Sequence, residues 1–134
     1  ALIAGGVALR EADLVRRGLE LLGWLVEVET LDGHFSFVPA RGWVLGEPRP
    51  AFDQQPVEAA ATIAACLAAH RLTEDPRWSS EAQHAFDWFL GGNDLNLPIY
   101  DPTTGGCRDG LHPDLLVQES VTKNRADQRL HKQA

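Results

Sequence analysis

Length, composition and charge exclude several classes of protein: 134 residues, 44% of them hydrophobic, make one domain of roughly 100–200 residues that can bury a core. A net charge of -7 with no basic stripe repels phosphate, so nucleic acid is not expected as a partner. Two cysteines, Cys66 and Cys107, are too few for a secreted disulfide scaffold and indicate a reducing, cytoplasmic location, and no stretch approaches the ~20 apolar residues of a membrane span.

Two helices are predicted at the start of the chain. Residues 1–9 have the character of the last turns of a helix, and because the chain contains no methionine we expect it to begin inside a longer protein. A second helix is predicted over about residues 11–30, where apolar residues recur at spacings of three and four. Residues 10–12 must then form a tight turn between two antiparallel helices. The apolar face of the second helix is Leu14, Gly18, Leu21, Leu22, Leu25 and Val28.

A long connection, residues 31–52, separates these helices from the next pair. It holds too many glycines and prolines for a helix, although residues 34–38 alternate weakly and could be a short extended piece. Long connections inside compact domains are often functional. A third helix is predicted over about residues 54–72, with Asp53 as its N-cap. Because its many alanines allow neighbours on several sides, we expect this helix to be the most buried.

A fourth helix is predicted from Pro76, capped by Asp75, to about Leu90, where glycines end it. A second long loop follows at residues 91–112. Short and long connections thus alternate, which predicts an all-α fold of stacked antiparallel helical hairpins with both long loops at one end. The polar residues 118–134 have no apolar stripe after Val121, so we expect a frayed or disordered tail.

Several separate motifs, all in one order, resemble a known bacterial family. It is the six-hairpin, (α/α)6-toroid domain family found with or near glycosyltransferases and related in fold to six-hairpin glycosidases. The resemblance covers about residues 10–117 and implies an all-α toroid concerned with carbohydrate. The motifs are Gly33-His34-Phe35-Ser36, Arg41-Gly42-Trp43, Phe52-Asp53-Gln54-Gln55-Pro56-Val57-Glu58-Ala59, Trp88-Phe89-Leu90-Gly91-Gly92-Asn93-Asp94 and the run from Tyr100 to Asp114.

The chain departs from this family after Val117, where the resemblance implies an Asn-Glu-Asn-Gln-Gly-like motif and a further apolar helix. The residues there are polar instead, which suggests a truncation or a shifted reading frame. We therefore expect a partial toroid over residues 1–117, followed by a tail at 118–134. The apolar faces that the missing hairpins would cover predict self-association or dependence on a partner.

The residues at the start of the third helix form the first candidate site. Gln55 and Glu58 could bind sugar hydroxyls, and a partly buried Glu58 could act as a general acid with a raised pKa. An acid among alanines on a buried helix otherwise costs stability, which favours a functional role for Glu58. The alternative is that Asp53 caps the helix and Glu58 complements its dipole. Asp53 and Gln54 complete the set of expected sugar-binding residues here.

The carboxylates of the second loop form another constellation. Asp101 and Asp109, with His112 nearby, suit glycoside chemistry, in which one carboxyl group acts as acid and another as base or nucleophile. The Asp-Pro-Thr-Thr-Gly-Gly run is also a good turn sequence, in which Asp101 would bond its own backbone. The aromatic rings of His34, Trp43 and Tyr100 could stack on sugars, or they could instead fill a core.

Two functions from different classes remain open on this reading. The first is a carbohydrate-active enzyme region, glycoside hydrolase-like or glycosyltransferase-like, with its site built from the long loops and a carbohydrate as its ligand. The second is a non-catalytic helical module that binds or scaffolds a glycosyltransferase. No metal and no cofactor is expected, because the spacings match no known metal, phosphate-loop or dinucleotide motif. Fold alone does not decide between the two.

Overall fold

Two helical hairpins make up most of the architecture. The computed structural model describes residues 1–115. In each hairpin the helices are joined by a short turn and pack against each other. The prediction of a mainly helical chain with short connections after the first and third helices is therefore confirmed. The helices are α1 (Leu2–Leu9), α2 (Ala12–Glu29), α3 (Pro56–Thr73) and α4 (Pro76–Asp87), which a 3₁₀ turn extends over Trp88–Leu90.

Two short β-hairpins accompany the helices, so the fold predicted as all-α is mainly helical with two small antiparallel sheets. The strands β1 (Thr30–Leu31) and β2 (His34–Phe35) pair antiparallel, with Thr30 opposite Phe35. The two residues between them, Asp32 and Gly33, both have positive φ, as a tight hairpin turn requires. The strands β3 (Tyr100–Asp101) and β4 (Gly106–Cys107) form the second pair. The extended piece predicted at residues 34–38 is confirmed by β2.

Local signals account for most helix ends. Arg10 adopts a left-handed conformation and its N–H bonds the carbonyls at the end of α1, which confirms the tight turn. The Asp75 carboxylate accepts a hydrogen bond of 2.9 Å from the Arg77 N–H, so its predicted capping role is confirmed. Gly91, with φ of 110°, ends the 3₁₀ turn as predicted. The N-cap prediction for Asp53 is wrong, because Gln55 holds that position in α3.

The backbones of α1 and α2 approach closely at two glycines. A Cβ atom on Gly6 would lie 2.8 Å from Val15 Cγ2, and one on Gly18 would lie 2.8 Å from Ile3 Cγ1. A side chain at either glycine would therefore push the two helices apart. This explains why Gly18 occurs within the apolar face of α2 despite its low helix propensity.

Helix α3 is buried along one stripe, so the prediction that it is the most buried helix is wrong. Its buried residues recur at spacings of three and four, as in α2, and Ala60, Ala61 and Ala64 are exposed. The small side chains of α3 would allow other helices to pack on several of its sides. Among residues 1–115, other elements pack against only one of them. The buried residues of α3 are Ala59, Thr62, Cys66 and Ala69.

The centre of the core is aromatic and lies beneath the two long loops. Phe35 and Phe37 stack with ring centroids 5.1 Å apart, and Trp88 meets Phe37 edge-on at 5.4 Å; all three rings are fully buried. In the structure the first loop runs from the end of β2 to the start of α3, and a backbone bridge between Gln54 and Leu111 joins it to the second loop. The long loops therefore meet at one end of the hairpins, as predicted. Within residues 1–115, no helix is long and apolar enough to cross a membrane.

Candidate functional site

Gln54 is the buried hub of the loop end. Its side chain is 0% exposed, and its Oε1 accepts hydrogen bonds from the Phe37 N–H and the Trp88 indole N–H, both at 3.0 Å. Its Nε2 donates to the Ala51 carbonyl at 2.8 Å and to Asp94 Oδ2. Every polar atom of this amide thus has a partner, as a buried polar group requires. Gln54 was predicted to bind sugar, and the structure places it away from solvent in the core.

His34 joins the first loop to the second through the same network. Its Nε2 lies 2.8 Å from Asp94 Oδ1, while the other oxygen of that carboxylate accepts from Gln54. The side chains of His34 and Asp94 are 24% and 12% exposed. This contact connects the first loop to the second. His34 therefore helps to hold the loops of the site together.

A second histidine–aspartate pair lies closer to solvent. His112 Nδ1 is 2.8 Å from Asp53 Oδ1, and these residues come from different loops. In this arrangement Nδ1 faces the Asp53 carboxyl group, and Nε2 lies on the opposite side of the ring. Nε2 lies 3.9 Å from Asp109 Oδ1, and the Asp109 side chain is 96% exposed. The three side chains form an Asp–His–Asp series that runs from the loop junction to solvent.

Backbone contacts explain the geometry of this series. Asp53 has φ of 67°, a conformation that Asp tolerates better than most residues, and its N–H bonds the Leu111 carbonyl at 3.1 Å. The Leu111 N–H returns a bond of 2.8 Å to the Gln54 carbonyl. Gly110 permits the close approach, since a Cβ atom there would lie 2.7 Å from His112 Nε2 and 2.9 Å from the Gln54 carbonyl oxygen.

A cavity of about 730 Å³ opens beside this series, and we call it the loop cavity. It lies between the β3–β4 hairpin and the residues that follow it, and its volume falls in the range of small-molecule sites. Four of the predicted site residues border it together, although nothing in their spacing alone required this. Residues at its wall include Tyr100, Asp101, Cys107, Asp109, His112 and Asp114.

Asp101 stabilises the turn of the β3–β4 hairpin. Its carboxylate accepts hydrogen bonds from the Thr103 hydroxyl at 2.6 Å, the Thr103 N–H at 2.9 Å and the Thr104 hydroxyl at 3.0 Å. These bonds, the Thr103 hydroxyl above all, lower the pKa of Asp101. The turn interpretation of the Asp-Pro-Thr-Thr run is therefore confirmed, and Asp101 stays ionised at the cavity wall.

Three other predicted residues lie elsewhere. Glu58 and Gln55 are exposed at the start of α3 and do not border the loop cavity. The premise that Glu58 is partly buried is wrong, because its side chain is exposed in the first turn of α3. Trp43 lies in the first loop, where its indole N–H donates to the Glu47 carbonyl at 2.9 Å and Arg49 stacks over its ring at 5.1 Å.

Glu29, at the end of α2, is a buried acid that the sequence analysis did not identify. It is 2% exposed, and its Oε1 accepts a hydrogen bond of 3.2 Å from the Val38 N–H. Burial raises the pKa of Glu29, the Val38 hydrogen bond opposes that shift, and the charge of Glu58 adds to it. Periodicity could have identified Glu29, since it continues the buried stripe of Gly18, Leu22 and Val26.

The donor groups of the site do not form a metal centre. Among residues 1–115, no group of three or more His, Cys, Asp or Glu side chains is arranged to hold a metal ion. What the site offers is an oriented imidazole, several carboxyl groups and a tyrosine ring around one cavity. These groups suit hydrogen bonding to hydroxyl-rich ligands and proton transfer at His112 Nε2.

Compared with protein-family models, with curated proteins and with solved structures, the chain matches none of them. The likeness of its motifs to the six-hairpin toroid family therefore stays a prediction.

Proposed function

We propose that this chain is a carbohydrate-active helical region, built as part of an (α/α)6 toroid, which binds sugar in the loop cavity. The observation that carries the proposal is the Asp53–His112 pair, which two separate loops assemble at the edge of that cavity. The meeting of both long loops at one end of the hairpins supports the toroid arrangement, in which loops at one rim build the site. The toroid-like motifs noted in the sequence point to the same ligand class.

The chemistry of the cavity suits a sugar. Asp109 accepts hydrogen bonds from ligand hydroxyls, and the Tyr100 ring offers a face for the C–H groups of a pyranose. His112, with its Nδ1 proton on Asp53, accepts a proton at Nε2 from a hydroxyl and so serves as general base, the role that a carboxylate-oriented imidazole performs in many enzymes.

The pair of carboxylates expected for a glycoside hydrolase fits less well. A general acid in that reaction needs a raised pKa, whereas hydrogen bonds from Thr103 lower the pKa of Asp101. Glu58, which was also expected to act as a general acid, is exposed and lies outside the loop cavity. His112 is therefore the acid–base group that we assign to the site.

A second candidate is the non-catalytic helical module that binds or scaffolds a glycosyltransferase. It is favoured by large apolar side chains that the helices expose, such as Trp24 at 51% and Leu21 at 53% on α2. A protein partner would cover such a surface. The two candidates differ in what they predict for sugar binding by the chain alone.

The test is calorimetry of the 134-residue chain with glucose- and mannose-type oligosaccharides, together with an assay for released reducing ends. We expect binding that His112→Ala and Asp109→Asn each weaken by roughly 10–100-fold, because the first removes a hydrogen-bonding ring and the second removes a charge from the cavity wall. The matched control is Asp13→Asn, which alters an exposed carboxylate on α2.

The outcomes separate the candidates. Binding that is lost in both site variants and kept in Asp13→Asn supports the proposal, and turnover that disappears with His112→Ala supports the catalytic role. Equal binding in all variants would overturn the assignment of the loop cavity. The absence of sugar binding, combined with capture of a glycosyltransferase that Trp24→Ala abolishes, would establish the second candidate.

A further inference from the structure

A second pocket adjoins the loop cavity. It has a volume of about 190 Å³ and is lined by Phe86, Phe89, Leu90 and Tyr100; we call it the aromatic pocket. Tyr100 also borders the loop cavity, so one side chain forms the wall between the two. A ligand that occupies the loop cavity beside Tyr100 thus has the aromatic pocket directly next to it.

The lining of the aromatic pocket is accessible and apolar. Phe86 is 48% exposed, Leu90 51% and Tyr100 42%. Phe86 and Phe89 meet at 6.0 Å between ring centroids with a tilt of 43°. Exposed apolar groups that surround a concave site, next to polar groups, mark ligand-binding surfaces more often than isolated apolar residues do.

Size and polarity decide which chemical group fits the aromatic pocket. A cavity of roughly 150 Å³ lined by Leu, Ile and Phe holds a benzene molecule, so a pocket of about 190 Å³ has room for one aryl ring or a short alkyl chain. A pyranose ring carries hydroxyls on most of its carbons, and an apolar lining would leave those hydroxyls without hydrogen bonds. The aromatic pocket therefore favours an apolar group over a second sugar.

We infer that the ligand of this site is a glycoside with an aryl or short alkyl aglycone: the sugar occupies the loop cavity and the aglycone occupies the aromatic pocket across Tyr100. The inference rests on the proposed function and adds the class of substrate to it. The polar wall of Asp109 and His112 on one side of Tyr100, and the phenylalanine pair on the other, complement the two halves of such a molecule.

The experiment compares phenyl and methyl glycosides of glucose and mannose by calorimetry with the 134-residue chain. We expect the phenyl glycoside to bind roughly tenfold more tightly, the lower end of the gain from burying a phenyl-sized group, because the pocket is open on one side. Phe86→Ala and Leu90→Ala should remove this preference and leave the affinity for the methyl glycoside unchanged. Leu45→Ala, at an apolar residue of the first loop that is 66% exposed, is the matched control.

Each outcome bears on one of the two proposals. Equal binding of phenyl and methyl glycosides would overturn the aromatic pocket and leave the sugar site intact. If neither glycoside binds, the proposed function fails and the inference fails with it. If sedimentation shows a dimer that Phe86→Ala dissociates, a second copy of the chain occupies the pocket and the inference is wrong.

Discussion

Two polar residues of the first loop and two carboxylates of the second loop have opposite environments. Ser36 and Gln54 of the first loop are 1% and 0% exposed, and both are hydrogen-bonded within the core. Asp101 and Asp109 of the second loop lie at the surface around the loop cavity. A buried polar group must find its partners inside the protein, whereas a surface carboxylate remains available to a ligand.

This difference separates the residues that hold the site in place from those that are available to contact a ligand. The Gln54 amide holds the Phe37 backbone, the Trp88 indole and the Asp94 carboxylate, and its own backbone pairs with Leu111 next to His112. The second loop builds on this support, because His112 is fixed by Asp53 only when the loops are paired. Substitutions in the two loops should therefore affect different properties.

The largest effect is expected at the hub. Gln54→Leu would leave the Phe37 N–H, the Trp88 indole N–H and Oδ2 of Asp94 without the Gln54 amide, and each orphaned buried group costs about 1–3 kcal/mol. We expect the free energy of unfolding to fall by about 4 kcal/mol, measured by urea denaturation. The exposed neighbour Gln55 provides the control, because Gln55→Leu should change the free energy of unfolding by less than about 0.5 kcal/mol. Similar losses in both variants would contradict the hub role.

A smaller effect is expected where the loops touch. Gly110→Ala would place a Cβ atom 2.7 Å from His112 Nε2 and 2.9 Å from the Gln54 carbonyl oxygen, so the loops must separate. We expect a loss of about 2 kcal/mol in urea denaturation, together with weaker sugar binding. Gly106→Ala is the control in the same loop, because its nearest neighbour, Thr104 Oγ1, would lie 3.5 Å away. Equal behaviour of the two variants would show that the approach at Gly110 is not tight.

A pH-dependent effect is expected at Glu29. Because burial raises its pKa, the folded state binds the proton more tightly than the unfolded state, and Glu29 destabilises the fold above its folded pKa. As the pH falls through that raised pKa towards the ordinary value of 4.5, this cost is relieved. Each unit of pKa corresponds to about 1.4 kcal/mol.

Glu29→Gln keeps an acceptor for the Val38 N–H and removes the titration. We therefore expect this variant to gain stability relative to the native chain above the folded pKa of Glu29, and to lose that advantage on acidification. Urea denaturation from pH 4 to pH 7 measures the difference between the two. A difference that does not vary with pH would refute the prediction.

The smallest perturbation is chemical labelling, which leaves the fold unchanged. Cys107 is exposed at the loop cavity, whereas Cys66 is buried, and burial raises the pKa of its thiol to about 11. Because the thiolate is the reactive form, an alkylating reagent at pH 8 should modify Cys107 and spare Cys66 in the folded chain. A bound glycoside should slow the labelling of Cys107, as mass spectrometry would show. Rapid labelling of Cys66 would contradict its burial.

Local patterns in the sequence predicted the helices well. Apolar residues at spacings of three and four identified α2, and the Asp75-Pro76 pair identified the start of α4, because periodicity and capping act within a few residues. The shared end of the long loops followed from the alternation of short and long connections. The burial of α3 did not follow, because alanine permits neighbours on every side without requiring them.

The sequence by itself determined the helical hairpins, the turns at Arg10 and Gly91 and the residue types available to a site. Tertiary structure decided what each polar residue does, because its partners are distant along the chain. Asp53 was predicted to cap α3, yet its carboxylate meets His112, 59 residues away, and Gln54 meets Asp94, 40 residues away. Such contacts form only when the two loops pair, so a pattern of neighbouring residues does not predict them.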